Sequence, residues 1–345
     1  MNVITQSDAS RAARDVPRRK LPVIDVGDVV AGKPGAAAAL ADEWRNVWET
    51  VGFMCVVNHG VPKAQVDGMF AAAKQFLDLP EAVKQQVPLN TDHHGYIGIR
   101  ADDLAEGEIE DNRKPSISEA MFVSTEYPAD NPFVQAGTQF YNPNPWLPED
   151  VAPGFHDTTL AFMDTVSALG RKLLPIWALS LEMPEDFFDA AFVDNYNFMR
   201  IAKYPPLPQH RDRELGIHPH RDTGFMTFLP VAEEEGLQIL GEDGAWFWPE
   251  LPADAMVVNL GHFAVRWTND RFRATTHRVV PPLARDRYAI PVFVNPNFEV
   301  RNEPIPSCFG PDNPHRYPVQ TYREWFGWYM SQTFAVYNEA KKKTA

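Results

Sequence analysis

The sequence predicts a mainly β fold, a barrel or sandwich with flanking helices. The C-terminal half contains many short apolar segments, some separated by turn residues, a pattern typical of such β architectures. Proline is abundant, at 31 of 345 residues, which fits short strands and structured loops better than a helical bundle. A long amphipathic segment at 155–181 precedes these strands and predicts a helix that supports a sheet.

The N-terminal part predicts alternating strands and helices. Residues 1–20 have no apolar stretch, so we expect a disordered start rather than a signal peptide. We expect 21–150 to hold strands, helices and an irregular lid, because long aperiodic segments are often functional. The predicted strands are 21–26, 53–57 and 120–123, and the predicted helices are 36–51 and 65–79. His93 and His94 lie in the irregular part, and as adjacent residues they predict a surface pair.

The C-terminal part predicts the β core at 196–300 and a closing helix with an aromatic face at 321–338. No internal repeat or linker divides the chain, which predicts a single domain over 1–345. Seven strands are predicted in the core: 196–204, 225–229, 236–240, 245–248, 255–259, 276–280 and 288–295.

Composition excludes several classes of partner. The formal net charge of −14 argues against nucleic acid and anionic membranes. No apolar run of 18 residues occurs, so no transmembrane helix is expected. Cys55 and Cys308 form no pairing motif, which favours a reducing, cytoplasmic location. These features leave the oligomeric state open.

A metal site is predicted around His220 and Asp222. Residues two apart in a strand face the same side, so an imidazole and a carboxylate would point to one place. His277 on a neighbouring strand would complete a two-histidine, one-carboxylate triad with open coordination positions. His210 and Asp212 repeat the same letters, but they lie in a proline-rich loop segment, so the second copy is preferred.

Arg287 is a candidate for binding an acid. Its planar guanidinium suits a carboxylate if the strand that follows it lies beside the metal strands. An ion pair with Asp286 on the surface explains the local sequence equally well.

The chain resembles the isopenicillin N synthase-like, plant-type branch of the iron(II)/2-oxoglutarate-dependent dioxygenases. Single motifs are weak evidence, but their order along the chain is specific. The separation of Asp222 from His277 also suits this family. The matching segments are 21–25, 51–62, Arg200, 204–206, 220–222, 236–238, 258–261, 266–269, 277–279 and 287–293.

The resemblance implies a double-stranded β-helix (jelly-roll) core with helices on one side. It implies iron(II) held by His220, Asp222 and His277. It further implies 2-oxoglutarate as cosubstrate, with its distal carboxylate on Arg287 and with Tyr204 within reach. O2 would then oxidise a small-molecule substrate while succinate and CO2 are released.

Several residues near the implied site have less certain roles. Thr227 and Phe293 are expected to line the substrate pocket, and His218 shares the face of His220 if its strand is regular. The family usually has serine where this chain has Ala289, so one hydroxyl donor to the acid is missing. His262 replaces a common aspartate, and we expect it to be a surface change.

Hydroxylation of a small molecule is the leading interpretation of this pattern. A second hypothesis is an iron-dependent oxidase that needs no 2-oxoglutarate, in which Arg287 binds a carboxylate of the substrate. A third is a metal-containing jelly-roll that binds a ligand without catalysis. Succinate release coupled to substrate loss separates the first from the other two.

Overall fold

The computed structural model describes residues 14–99, 116–207, 214–334 and 336–337. Its α-helices are α1 (Gly27–Val30), α2 (Ala36–Thr50), α3 (Lys63–Leu77), α4 (Glu81–Lys84), α5 (Pro132–Gln135), α6 (Phe155–Lys172), α7 (Leu174–Ser180), α8 (His262–Trp267) and α9 (Tyr322–Thr333). Its strands are β1 (Arg18–Lys20), β2 (Val23–Asp25), β3 (Phe53–Val57), β4 (Gly95–Ile97), β5 (Glu119–Ser124), β6 (Asn197–Tyr204), β7 (Ile217–His220), β8 (Met226–Pro230), β9 (Leu237–Leu240), β10 (Trp246–Glu250), β11 (Met256–Leu260), β12 (His277–Val279), β13 (Arg287–Ala289) and β14 (Val292–Val294).

Two sheets form the core. The smaller sheet has the strand order β1-β10-β9-β12-β7. The larger sheet has the order β2-β3-β11-β8-β14-β6-β5-β4, and β13 also pairs with β6. Along the chain, β8 lies in the larger sheet, β9 and β10 lie in the smaller sheet, and β11 returns to the larger sheet, as in a jelly roll. The predicted double-stranded β-helix is confirmed.

Apolar side chains join the two sheets. Phe53 of β3 and Val257 of β11 pack with Leu237 and Ile239 of β9 in one buried cluster. Their burial removes apolar surface from water on the inner faces of both sheets, which is what holds such layers together.

Helices cover the outer face of the larger sheet. The amphipathic helix α6 packs against β14 and β6, and α3 lies against β6 and β13. Trp44 and Trp48 of α2 and Trp177 of α7 form a buried aromatic cluster, with Trp48 and Trp177 stacked at 4.9 Å. The helices therefore lie on one side of the sheet and leave its inner face to the cavity between the sheets.

Some predicted elements differ from the structure in extent. The helix predicted at 155–181 is divided at Leu173, and Pro175 stands in the first turn of the second helix, where its missing N–H is tolerated. The strand predicted at 288–295 is divided around Pro291, because proline cannot donate to a ladder. Disorder was predicted for residues 1–20, but this prediction is wrong for residues 18–20, which form β1 and pair with β10. β4 and α8 were not among the predicted elements.

Within the described part of the chain, every helix is too short or too polar to cross a membrane.

Candidate active site

Three potential metal ligands meet between the sheets. His220 ends β7, Asp222 follows it, and His277 begins β12. β7 and β12 are antiparallel neighbours, and the two histidines lie directly opposite each other in their register. This pairing places the imidazole centroids 4.3 Å apart. The ligand atoms of all three residues lie within 4.8 Å of one another.

Each imidazole presents its Nε2 atom to the carboxylate. Nδ1 of His220 lies 2.8 Å from the carbonyl oxygen of His218, and Nδ1 of His277 lies 3.2 Å from that of Thr275. An Nδ1–H that donates to a carbonyl leaves Nε2 free for a cation. The two Nε2 atoms are 3.8 and 3.6 Å from Oδ1 of Asp222. Two nitrogens and one carboxylate oxygen are the donor set of a facial iron(II) site.

The second oxygen of Asp222 is fixed by two donors. Oδ2 accepts hydrogen bonds from Thr227 Oγ1 at 2.6 Å and from Asn259 Nδ2 at 2.7 Å. Thr227 of β8 lies opposite Asn259 of β11 in the larger sheet, so the sheet itself positions both donors. Their hydrogen bonds leave Oδ1 directed at the two histidines.

A close backbone contact holds the turn that carries Asp222. The residue forms an isolated bridge with Gly261, and the backbone nitrogen of His262 donates to the carbonyl oxygen of Asp222 at 2.7 Å. A Cβ at position 261 would lie 2.4 Å from the carbonyl oxygen of Gly224. Only glycine permits this approach, which links the turn to the end of β11.

Burial and neighbouring groups set the protonation states of the triad. Burial lowers the pKa of both His220 and His277. Burial alone would raise the pKa of Asp222, but the two imidazoles and the donors Thr227 and Asn259 together lower it. At neutral pH the site therefore consists of two neutral imidazoles and one carboxylate. These are the protonation states in which such groups bind a divalent cation.

A small cavity of about 80 Å³ joins the triad to Arg287. Arg287 of β13 lies opposite Tyr204 of β6, with its guanidinium carbon 5.0 Å from the ring centroid. Its Nε donates to the carbonyl oxygen of Glu234 at 3.1 Å. Its Nη1 is buried and has no hydrogen-bond partner in the described residues. Because a buried donor without an acceptor is costly, this atom fits the carboxylate of a bound acid.

The surroundings of Arg287 exclude the alternative of a surface ion pair. The side chain is buried, and Asp286 lies 3.4 Å from Lys203 instead. Gly236 provides the necessary space, since a Cβ there would lie 2.6 Å from both Cδ and Nε of Arg287. Burial lowers the pKa of Arg287, but a guanidinium stays charged at neutral pH.

The residues predicted for the substrate pocket fall in different places. Thr227 and Phe293 line the cavity, although the hydroxyl of Thr227 is engaged by Asp222. The ring of Phe293 stacks on Phe198 at 4.2 Å. His218 does not line the cavity, because the β7–β12 register shifts and Ile217 shares the face of His220. A bulge of this kind breaks the alternation on which that prediction depended.

Three other predictions concerned histidines, and each has a different outcome. His262 is half-buried beside Trp325, with ring centroids 6.2 Å apart, and it lines a cleft at the surface, so its expected role as a surface change stays a prediction. His93 and His94 are fully buried rather than a surface pair. The alternative motif at 210–212 lies outside the described residues.

The sequence analysis assigned no role to two residues that belong to the site. Asn259 lies in the buried strand β11, where an amide side chain needs a partner, and its partner is Asp222. Arg200 lines the cavity from the same face of β6 as Tyr204, because the two residues are four apart in one strand. That spacing was the signal that would have identified Arg200.

A larger cleft lies elsewhere on the described part of the chain. It has a volume of about 800 Å³ and is bordered by α3 and by the loop after β8. Neither the triad residues nor Arg287 line this cleft. The candidate active site is therefore identified by its metal-ligating and acid-binding side chains and not by the volume of a cavity.

Family models match most of the chain. The N-terminal model, described as non-haem dioxygenase in morphine synthesis N-terminal, matches residues 21–149. The model of the 2OG-Fe(II) oxygenase superfamily matches residues 188–296, which include the triad and Arg287.

Individual relatives extend over nearly the whole chain. The 2-oxoglutarate-Fe(II) type oxidoreductase hxnY of Emericella nidulans is 30% identical over 332 residues, which cover 94% of this chain and 93% of that protein. The 2-oxoglutarate-dependent dioxygenase traH of Penicillium crustosum is 31% identical and covers 82% of this chain and 86% of its own.

Solved structures share the fold. A full-length protein of Neurospora crassa, solved in complex with alpha-KG, superposes with a TM-score of 0.78 at 25% identity, covering 90% of this chain and 96% of its own. A protein from Caulobacter crescentus, described as a putative 2OG-Fe(II) oxygenase family protein, has a TM-score of 0.77 at 25% identity. It covers 90% of this chain and 99% of its own.

Proposed function

The chain belongs to the 2OG-Fe(II) oxygenase superfamily, and from this premise we propose that His220, Asp222 and His277 hold its iron while Arg287 and Tyr204 bind its 2-oxoglutarate. The protein is thus a 2-oxoglutarate-dependent oxygenase that uses Fe(II) and O2 on a small-molecule substrate. One observation carries the site assignment: the triad lines the same cavity as Arg287, whose buried Nη1 has no partner among the described residues.

Bound iron supplies the redox chemistry through which O2 converts 2-oxoglutarate to succinate and CO2 and oxidises the substrate. The protein's own residues bind and orient the reactants. Arg287 neutralises the distal carboxylate in a dry environment, where a guanidinium–carboxylate pair is strong and directional. Asp222 presents one oxygen to the metal because Thr227 and Asn259 occupy the other.

We infer that the substrate is a small molecule that is hydroxylated beside Phe293. This ring lines the cavity and stacks on Phe198. Such a surface suits an apolar or planar part of a substrate.

We further infer that residues 1–345 form one dioxygenase domain. Strands β2 and β3 come from the N-terminal part, yet they continue the sheet that contains β11 and β8. A boundary between the two parts would cut through this sheet.

Anaerobic reconstitution tests the site assignment. Addition of iron(II) and then 2-oxoglutarate should give a weak visible charge-transfer band. Asp222→Ala should abolish the band because the metal is lost. Arg287→Ala should retain iron and require roughly 30-fold more 2-oxoglutarate or worse, the usual cost of removing one partner of a buried charged pair.

Arg301→Ala is the matched control, because this arginine is exposed and lies outside the cavity. Equal 2-oxoglutarate requirements for the Arg287 and Arg301 variants would refute the role of Arg287. Iron bound without any band in the wild type would instead favour an oxidase that needs no 2-oxoglutarate. Succinate formed in step with substrate loss would exclude that oxidase.

A further inference from the structure

The strip of the cavity beside Arg287 has few hydrogen-bond donors. Ala289 lines the cavity two residues after Arg287 and offers only a methyl group. Ala202, its cross-strand partner on β6, does not line the cavity and also offers only a methyl group. Among these residues, only Tyr204, opposite Arg287, carries a hydroxyl.

The hydroxyl of Tyr204 is also bound by a second arginine. Nη1 of Arg200 donates to Tyr204 Oη at 2.8 Å, and Nη2 of Arg200 donates to Ser118 Oγ at 2.8 Å. The guanidinium carbon of Arg200 also lies 5.9 Å from the ring centroid of Phe122. Arg200 is therefore held at both of its terminal nitrogens, and the hydroxyl of Tyr204 is one of its anchors.

The direction of this hydrogen bond has a chemical consequence. A guanidinium can only donate, so Tyr204 Oη accepts from Arg200 and keeps its own hydrogen for a third group. Arg287, which also hydrogen-bonds with Tyr204, can likewise only donate, so neither arginine takes this hydrogen. Nη1 of Arg287 is a further buried donor without a partner among the described residues. Tyr204 and Arg287, which carry these two donors on the paired strands β6 and β13, both line the same small cavity.

We propose that Arg200 is a positioning residue that fixes the Tyr204 hydroxyl as a donor to the distal carboxylate of 2-oxoglutarate, in place of a hydroxyl at position 289. Arg200 acts through Tyr204 and does not itself touch the acid. The inference rests on the proposed function, because it requires 2-oxoglutarate to lie between Arg287 and the triad.

The affinity for 2-oxoglutarate, measured anaerobically with iron(II) and without substrate, tests this proposal. Tyr204→Phe should weaken binding roughly 10-fold or more, since a hydrogen bond to a charged group is lost. Arg200→Met should weaken it by a similar or smaller factor. The double variant should bind no worse than Tyr204→Phe, within about twofold, because in this proposal Arg200 acts on the ligand only through the hydroxyl of Tyr204.

Ala289→Ser provides the rescue. It should restore most of the affinity in both the Tyr204→Phe and the Arg200→Met backgrounds, because it supplies a new donor from within the cavity. Ala202→Ser is the matched control: it adds the same hydroxyl on the facing strand at a position that does not line the cavity. Ser118→Ala removes another anchor of Arg200 and should change affinity by less than Arg200→Met does.

Three results would overturn the proposal. The first is an unchanged affinity for 2-oxoglutarate in Arg200→Met. The second is a loss of affinity from Arg200→Met in the Tyr204→Phe background that equals its loss in the wild type. The third is a failure of Ala289→Ser to restore affinity. The second would mean that the charge of Arg200 acts directly on the ligand. A wild type without any 2-oxoglutarate-dependent band would refute the proposed function itself, so the two failures are distinguishable.

Discussion

Replacing Asn259 with leucine tests how the sheet controls the metal. The change removes one of the two hydrogen bonds to Oδ2 of Asp222 while keeping a buried side chain of similar size. A hydrogen bond to a charged group contributes about 1.5–3 kcal/mol. Loss of an outer partner of a metal ligand typically weakens metal binding about 10–100-fold. We therefore expect Asn259→Leu to weaken iron(II) binding by that factor, and Thr227→Val to act in the same direction.

The double variant Asn259→Leu/Thr227→Val should lose more, because Oδ2 would keep neither of its donors. The pH dependence should change as well. The two donors help to lower the pKa of Asp222, so their removal raises it, and protons then compete with iron at a higher pH. The pH at which half of the metal dissociates should move upward.

Anaerobic calorimetric titration with iron(II) measures this effect at several pH values. Thr268→Val is the matched control: its hydroxyl is also buried, but it donates to the carbonyl oxygen of Ala264 at 2.9 Å, away from the metal site. Iron affinity that is unchanged in a folded double variant would refute the reasoning. The carboxylate would then be oriented by the backbone of its turn alone.

Gly236→Ala should weaken 2-oxoglutarate binding but spare iron binding, because the new Cβ would displace Arg287. Titrations with each ligand measure both affinities. Gly68→Ala is the control, because a Cβ there meets nothing within 4 Å. His93→Asn should reduce the acid sensitivity of the iron-free protein. Burial lowers the pKa of His93 to about 3, so from about pH 6.5 downward the unfolded chain binds a proton that the folded chain refuses, and stability falls by about 1.4 kcal/mol per pH unit. Denaturation of the wild type and of His93→Asn at pH 5 and 7 measures how steeply stability falls with pH. An equal fall in both proteins would contradict the prediction, because it would mean that the imidazole is protonated in the folded state. Asparagine tolerates the left-handed backbone at this position, with φ of 62°.

The position of the metal triad could be predicted because it depends on local rules. His220 and Asp222 stand at the end of a strand-like run, and His277 begins another apolar segment. Strand periodicity and pairing then limit where such side chains can meet. The prediction for His218 did not hold because a register shift of one residue between β7 and β12 is not visible in residue types.

The remaining differences come from tertiary contacts. His93 and His94 are polar by type, yet aromatic rings enclose His93, including Phe122 at 4.4 Å and Phe334 at 4.9 Å. These rings come from distant strands and from the end of α9, so their approach depends on the packing of the whole fold. The role of Asn259 likewise depends on the side chain of Asp222, which belongs to another segment of the chain.

The path of the chain from one sheet to the other and back determines the stage of folding at which the proposed metal ligands come together. Between Asp222 and His277 the chain forms β8 and β11 in one sheet and β9 and β10 in the other. The third proposed ligand reaches the first two only where both sheets are in place, so an unfolded chain does not hold the three side chains together. Iron is therefore not expected to nucleate folding at the triad, as zinc does in small metal-dependent domains. Instead it selects and stabilises chains that have already folded, to an extent set by the concentration of free metal.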